Sequence, residues 1–238
     1  MLDAPNNQVF AYTDDGTWQV ADLRQHWDGP EQPRRPGNNA LVYPNNIPHN
    51  NLALHFGKAL VELDPQRVVG FIIATSPGSG IRTWDKGGSF YQTISNKASQ
   101  ALDATSKSNF DAVLWHQGET DFQFFGTSDP LAPIQDRSNS TYYPDRLNGL
   151  ISNFRAEPWF NNNRGIFICA ETQTTSTAVA SAAPVNSRLM ALNSDNDPYT
   201  GCVTSNGLQT RDGVHFNAEA IRSLGRRYAT EYLRMSRQ

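Results

Sequence analysis

The chain has 238 residues, of which 38% are hydrophobic and 18% charged, with a formal net charge of −3. That is ample for one α/β domain with its own core and far from the composition of a disordered chain. Its twenty Lys and Arg are scattered, which excludes the basic track a nucleic-acid backbone needs, and no apolar run nears the roughly 20 residues that cross a bilayer.

The opening MLDAPNNQ is polar and turn-like, without the pattern of a leader. Next, β-formers at 8–13 and 17–23 flank Asp14-Asp15-Gly16, which predicts a hairpin or two short strands. Residues 27–48, dense in Asn, Pro and Gly, read as a long loop, and a loop of that length suits binding. Leu52, Phe56 and Leu60 repeat at i, i+4, i+8 and predict a helix over 50–63. RVVGFIIATS at 67–76 is continuous and β-branched, the pattern of a strand buried on both faces.

A helix over 90–107 and a strand over 111–117 follow, then a helix over 143–154 and the strand GIFICAE. A helix near 183–193 and the strand GCVT precede a final helix, capped by Asn217 and running to about residue 233. Strands alternating with helices predict βαβ units around a mostly parallel sheet covered on both faces. The arginines Arg222, Arg226 and Arg227 fall on what reads as a solvated face of the last helix. Cys169 reads as a buried small hydrophobe, and a bridge to Cys202 requires their segments to be neighbours. Two cysteines exclude a four-thiolate metal site.

In such sheets function gathers at the carboxyl ends of the strands, and three of those ends carry chemistry. Pro77-Gly78-Ser79-Gly80 is a tight turn whose Gly78 N–H is a candidate oxyanion donor, or else a plain strand–helix turn. LWHQGETD at 114–121 places Gln117, a neutral amide donor, directly after a buried strand. There Glu119 and Asp121 have no partner at acid–base or metal spacing, and His116 alternates away from Gln117 as a structural residue. RDGVHF at 211–216 sets Asp212 three residues before His215 around a glycine. That turn can hold a carboxylate against Nδ1 and leave Nε2 as a general base, though a capping Asp beside a surface His has the same sequence.

Taken in order, DDGTW, NNLALHFGKAL, GSGIRTW, WHQGETD, YYPDRLNGLI and DGVHFNAEAIRSLGRRYA make the chain resemble the SGNH hydrolase superfamily along nearly its whole length. The nearest branch is that of sialate O-acetylesterases and carbohydrate esterase family 6, which includes acetylxylan esterases. The resemblance implies a single-domain three-layer α/β/α sandwich, SGNH or flavodoxin-like, and deacetylation of sugar hydroxyls through an acyl-enzyme without metal or organic cofactor. It implies His215 as base, Asp212 as its orienting partner, Gly78 and Gln117 as oxyanion donors, and Glu119 in a supporting acidic slot. An O-acetylated glycan is then the partner, with Trp84, Trp27 and Tyr43 as candidate sugar contacts because flat aromatic faces suit sugar rings, or else as core aromatics. A secreted or virion-attached setting follows from the family alone.

One departure stands out. The family's nucleophilic serine lies in a block after its first strand, upstream of the segment matching QVFAYTDDGTW, and here only seven residues precede Gln8, none of them serine. Ser76 and Ser79 fall in a block where the family has no nucleophile, and no G-x-S-x-G elbow occurs. Three expectations follow: a fragment lacking the first strand, a polypeptide segment that supplies strand and serine, or an inactive glycan-binding or structural module of the same fold. Residues 8–13 filling the first-strand position is the competing alignment.

Overall fold

The computed structural model describes residues 4–22, 51–76, 78–123, 142–160, 164–173, 182–194 and 197–237. Strands β1 (Val9–Tyr12) and β2 (Trp18–Val20) form the expected hairpin, antiparallel with Phe10 opposite Val20. Helix α1 (Leu52–Leu63) opens on Asn51, whose side chain accepts from the Ala53 N–H. Then come β3 (Val69–Phe71), α2 (Ser89–Asp103), β4 (Ala112–Trp115) and the short α3 (Glu119–Gln123). Helix α4 (Tyr142–Arg155), β5 (Ile166–Ala170), α5 (Ala182–Ala191) and β6 (Thr200–Val203) lead to the long α6 (Ala218–Met235).

The strands form two three-stranded sheets, β2-β1-β3 and β4-β5-β6, parallel throughout except for the hairpin. Side-chain alternation shows that they belong to one layer. Val69 of β3 and Ala112 and Leu114 of β4 pack with Phe56, Leu60, Leu224 and Tyr228 on the face covered by α1 and α6. On the opposite face Ile72 and Val113 join Trp115, Leu147, Phe154 and Phe167 beneath α2, α4 and α5. The result is the three-layer α/β/α architecture the sequence predicts. Its two covering helices meet closely because Gly225 of α6 has no side chain: a Cβ there would lie 2.6 Å from the Leu52 carbonyl and 2.7 Å from His55.

Burial differs sharply across the layer. Every residue of β5 and β6 is buried, whereas β3 and the first three residues of β4 are partly exposed, and Gly70 is exposed. The run 67–76 therefore forms a strand only over Val69–Phe71 and is not fully buried, and among the described residues β3 pairs only with β1. Residues 8–13 do not occupy the position between β3 and β4: β1 has β2 on one edge and β3 on the other.

Cys169 and Cys202 are register partners on β5 and β6, buried and free. They act as small core residues, as the apolar run around Cys169 suggests.

Candidate active site

The final catalytic-type turn is built from backbone outward. Asp212 Oδ1 accepts the N–H of Val214 at 3.0 Å and that of His215 at 2.7 Å, which folds the chain back on itself. Gly213 between them has φ +86°, a left-handed conformation a side chain would strain. The turn is closed by Arg211 N–H donating to the His215 carbonyl at 2.9 Å and Asn217 N–H to Gln209 at 2.9 Å. So held, His215 Nδ1 lies 2.7 Å from Asp212 Oδ2. With the proton on Nδ1 it donates to the carboxylate, and Nε2 is left as a base on a ring that is 59% exposed. Burial pushes the Asp212 carboxyl up, but the backbone and ring N–H groups of His215 and the N–H of Val214 outweigh it and hold it down at about 2.

The other two strand ends are tied to each other. Gln117, just past β4, donates from Nε2 to the Ser79 carbonyl at 2.8 Å and to Asp121 Oδ2 at 2.7 Å. Asp121 in turn accepts the Ile81 N–H on both oxygens, at 2.9 and 3.1 Å. Both amide protons of Gln117 are thus engaged, and its Oε1 is buried without a partner. Donation to a ligand from this side chain requires exchange of one of those bonds. Burial lifts the Asp121 carboxyl to about 6 against the opposing bonds from Gln117 and Ile81. Gly78, at φ +69°, precedes this clamp, and its N–H has no partner among the described residues.

His116 links the second strand end to the third. Its ring lies 5.5 Å from that of Phe216, the neighbour of His215, and its Nε2 is 3.4 Å from Glu119 Oε1. Burial raises Glu119, but the His116 contact reverses the shift and the carboxyl sits below its ordinary value, with a smaller pull from His215. Tyr143 braces the platform from below, accepting from Trp115 Nε1 at 3.0 Å and donating to the Gln117 carbonyl at 2.6 Å.

The structure therefore gathers Ser79, Gln117, Glu119 and His215 at the carboxyl ends of β3, β4 and β6. It does not bring Trp84 with them as a sugar platform. Trp84 is 6% exposed, its ring packed 5.2 Å from Trp115 and 5.4 Å from Phe90, and its Nε1 donates to Ser79 Oγ at 3.2 Å. Of the two readings of Trp84, sugar contact or core, its burial fits the core. Trp27, Tyr43 and Pro77 lie outside the described residues. Sequence reasoning missed the Asp121 clamp, a contact spanning 40 positions whose only signal was the density of polar groups after β4. No group of three or more His, Cys, Asp or Glu among the described residues is placed to hold a metal.

The family described as carbohydrate esterase, sialic acid-specific acetylesterase, matches residues 2–234. The "probable carbohydrate esterase At4g34215" of Arabidopsis thaliana is 24% identical over 238 residues, 97% of this chain and 76% of that protein. In the X-ray structure of the Arabidopsis thaliana protein AT4G34215 the likeness is one of fold: a TM-score of 0.69 at 21% identity, covering 98% of this chain and 83% of that one.

Proposed function

The chain belongs to the carbohydrate esterase family of sialic acid-specific acetylesterases, and from that premise we propose that it removes O-acetyl groups from carbohydrate through an acyl-enzyme. The observation that carries the reading is the 2.7 Å pair of Asp212 and His215, with no bond to Nε2 among the described residues, on a site that also holds the Gln117–Ser79 clamp. A binding module has no use for a base oriented in this way.

In the reaction a serine hydroxyl attacks the acetyl carbonyl while its proton passes to His215 Nε2. Asp212 holds the ring and stabilises the imidazolium. The carbonyl oxygen, now an oxyanion, takes hydrogen bonds from the Gly78 N–H and from Gln117 once its bond to Ser79 or Asp121 is exchanged. The sugar oxygen leaves with the proton from His215. Water then adds to the acyl-serine by the same base and releases acetate. An O-acetylated sialic acid or an acetylated polysaccharide such as xylan provides the ester.

The serine is the component the described residues do not supply. Ser79 Oγ accepts from Trp84 Nε1 and its carbonyl is held by Gln117, so it serves the turn, and no described hydroxyl bonds to His215 Nε2. We assign the nucleophile to a segment outside the described residues. The same observation is what favours the second reading, a glycan-binding module without turnover.

The test is acetate release from O-acetylated sialic acid and from acetylated xylan, with His215→Ala as control. Release that is lost in the variant supports the esterase. Release that persists there removes His215 from the chemistry, and tight glycan binding with no release from either ester favours the module.

A further inference from the structure

A cleft of about 270 Å³ opens between the β1–β2 turn and α2, away from the Asp212–His215 pair. Tyr12, Asp14 and Gly16 line one side of it, and Asn96, Lys97 and Gln100 line the other. Small-molecule sites run from about 300 to 1,000 Å³, so this cleft is sized for one small ring and not for a cofactor. Its place in the fold follows from strand direction. β1 runs parallel to β3 with Ala11 beside Phe71, so the turn after Tyr12 stands at the carboxyl end of the layer. The Gly78–Ser79 turn follows β3 at that same end, and the short 3-10 turn Ile81–Trp84 leads from it to α2. The cleft therefore opens on the end of the layer that carries the candidate site, with β1 one strand spacing, about 4.8 Å, outside β3.

The lining is polar and balanced in charge. Lys97 Nζ donates to Asp14 Oδ1 at 2.7 Å, which ties the turn to the helix and sets one amine against one carboxylate. An anion that approaches Lys97 meets Asp14 as well, so the cleft favours a neutral ligand. Asn96 and Gln100 stand at i and i+4 on the exposed side of α2, and each carries an amide that both donates and accepts. Tyr12 is buried and lies 5.4 Å from the Trp18 ring, which fixes its phenol at the base of the cleft. Gly16, at φ +81°, leaves the mouth clear, since a Cβ there would lie 3.6 Å from the Tyr12 hydroxyl. Adjacent hydroxyls on a sugar ring, each a donor and an acceptor, match two amides and a phenol. An apolar ligand would strand those groups without partners.

We propose that this cleft binds one sugar residue of a neutral, linear glycan, while another residue of the same chain carries its acetyl group to His215. The link to His215 rests on the esterase reading; the cleft rests on its own lining. The consequence is a preference for a polymer. A single sialic acid at His215 leaves the cleft empty, whereas a glycan chain engages both places and gains from the linkage between them.

The probes are xylohexaose and cellohexaose, neutral and free of acetyl groups, with N-acetylneuraminic acid as the anionic single sugar. Each is titrated into the whole chain, and backbone and side-chain amide shifts are followed by NMR. Either hexaose is expected to move the backbone amides of Gly16 and Lys97 and the side-chain amides of Asn96 and Gln100. N-acetylneuraminic acid is expected to leave these four in place, and Ile168 in the core stays still with all three sugars. In Asn96→Ala/Gln100→Ala, which keeps good helix formers on an exposed face, the hexaose Kd is expected to rise about tenfold for the loss of two hydrogen bonds. Cleft amides unmoved by both hexaoses, or moved equally by N-acetylneuraminic acid, overturn the site, and so does a Kd unchanged in the double variant. Acetate release separates this proposal from the esterase reading. Cleft shifts without release from acetylated xylan or O-acetylated sialic acid keep the cleft and remove the esterase, and release without cleft shifts does the reverse.

Discussion

The half-sheet β4-β5-β6 and the half-sheet β2-β1-β3 hold different parts of the site by different means. The first is a finished core: β5 is buried throughout, between Leu224 and Tyr228 on one face and Trp115 and Leu189 on the other. From it project Gln117 and, through the segment after β6, Asp212 and His215. In the second, β1 is mostly buried while β2 and β3 are partly exposed, and it supplies the turn at Gly78 and Ser79. Among the described residues no strand ladder joins them. The connection runs instead through the α1–α6 contact at Gly225, the bond from Trp18 Nε1 to the Ala101 carbonyl at 3.1 Å, and the Gln117–Asp121 clamp. The base and Gln117 thus sit on one half and the Gly78 turn on the other, and each variant below acts on one half or on the tie.

The largest effect belongs to the base. In the protein with its nucleophile in place, His215→Ala lowers kcat on an aryl acetate by at least about 10³, and Asp212→Asn also lowers it with the fold intact. Near-native turnover in His215→Ala removes His215 from the chemistry. Next is the tie. Gln117→Leu keeps bulk and loses both donors, and is expected to cost about 10²–10³ in kcat with little change in KM. A change confined to KM assigns Gln117 to ground-state sugar binding. A parallel loss from Asp121→Ala would show that alignment of the halves, as well as direct donation, is at stake.

Stability separates the halves directly. Ile168, fully buried in β5, is expected to lose about 2–5 kcal/mol on replacement by Ala. Val113, at the partly exposed β4 edge, should lose only about 1 kcal/mol on the same truncation. Equal losses in urea unfolding would mean that the edge is covered in solution.

Asp121 adds a pH signature to the tie. Its carboxyl is raised from 3.8 to about 6 by burial, so the folded protein holds a proton that the unfolded chain has released. Its contribution therefore falls as pH rises from about 4 to beyond 6, by at most roughly 3 kcal/mol at 1.36 kcal/mol per unit. Asp212 has the opposite sign: held down at about 2, it contributes stability above its ordinary value that is lost as pH falls toward 2. Asp121→Asn is expected to remove the fall between pH 4 and 7. An unchanged slope in the variant means that the slope arises at another group.

The same division decides what the sequence made legible. In the finished half the local signals agree with the environment: GIFICAE is apolar because both faces and both edges of β5 are occupied, and Asn217 caps α6 as its side chain suggests. The Asp212–His215 turn could be read because three residues around a glycine at φ +86° determine it. At β3 the reading fails for a physical reason. Apolarity over 67–76 reports the faces a strand covers and says nothing of whether its second edge is paired, so the sequence predicts a strand longer than Val69–Phe71. Trp84 stays ambiguous in sequence for a similar reason, since a tryptophan after a glycine turn has the same local sequence whether its ring faces a sugar or, as here, Phe90 and Trp115.

The smallest expected effect asks whether the His215 turn stands on its own bonds or on the helix that follows. Asn217 Oδ1 accepts the Ala220 N–H at 2.9 Å, satisfying one orphan donor of α6, while its backbone N–H closes the turn on Gln209. Asn217→Ala removes the first bond and keeps the second. Loss of a cap of this kind costs about 1 kcal/mol, which for a domain of this size shifts Tm by roughly 2–4 °C. Because Asp212 fixes His215 through three bonds inside the turn, kcat is expected to stay within about twofold of the parent. A Tm shift with kcat unchanged makes the dyad a self-contained turn carried by the β4-β5-β6 half. A tenfold loss of kcat at the same small Tm shift would mean instead that the first turn of α6 sets the ring's position, and the base would then move with the α1–α6 pair that spans both halves.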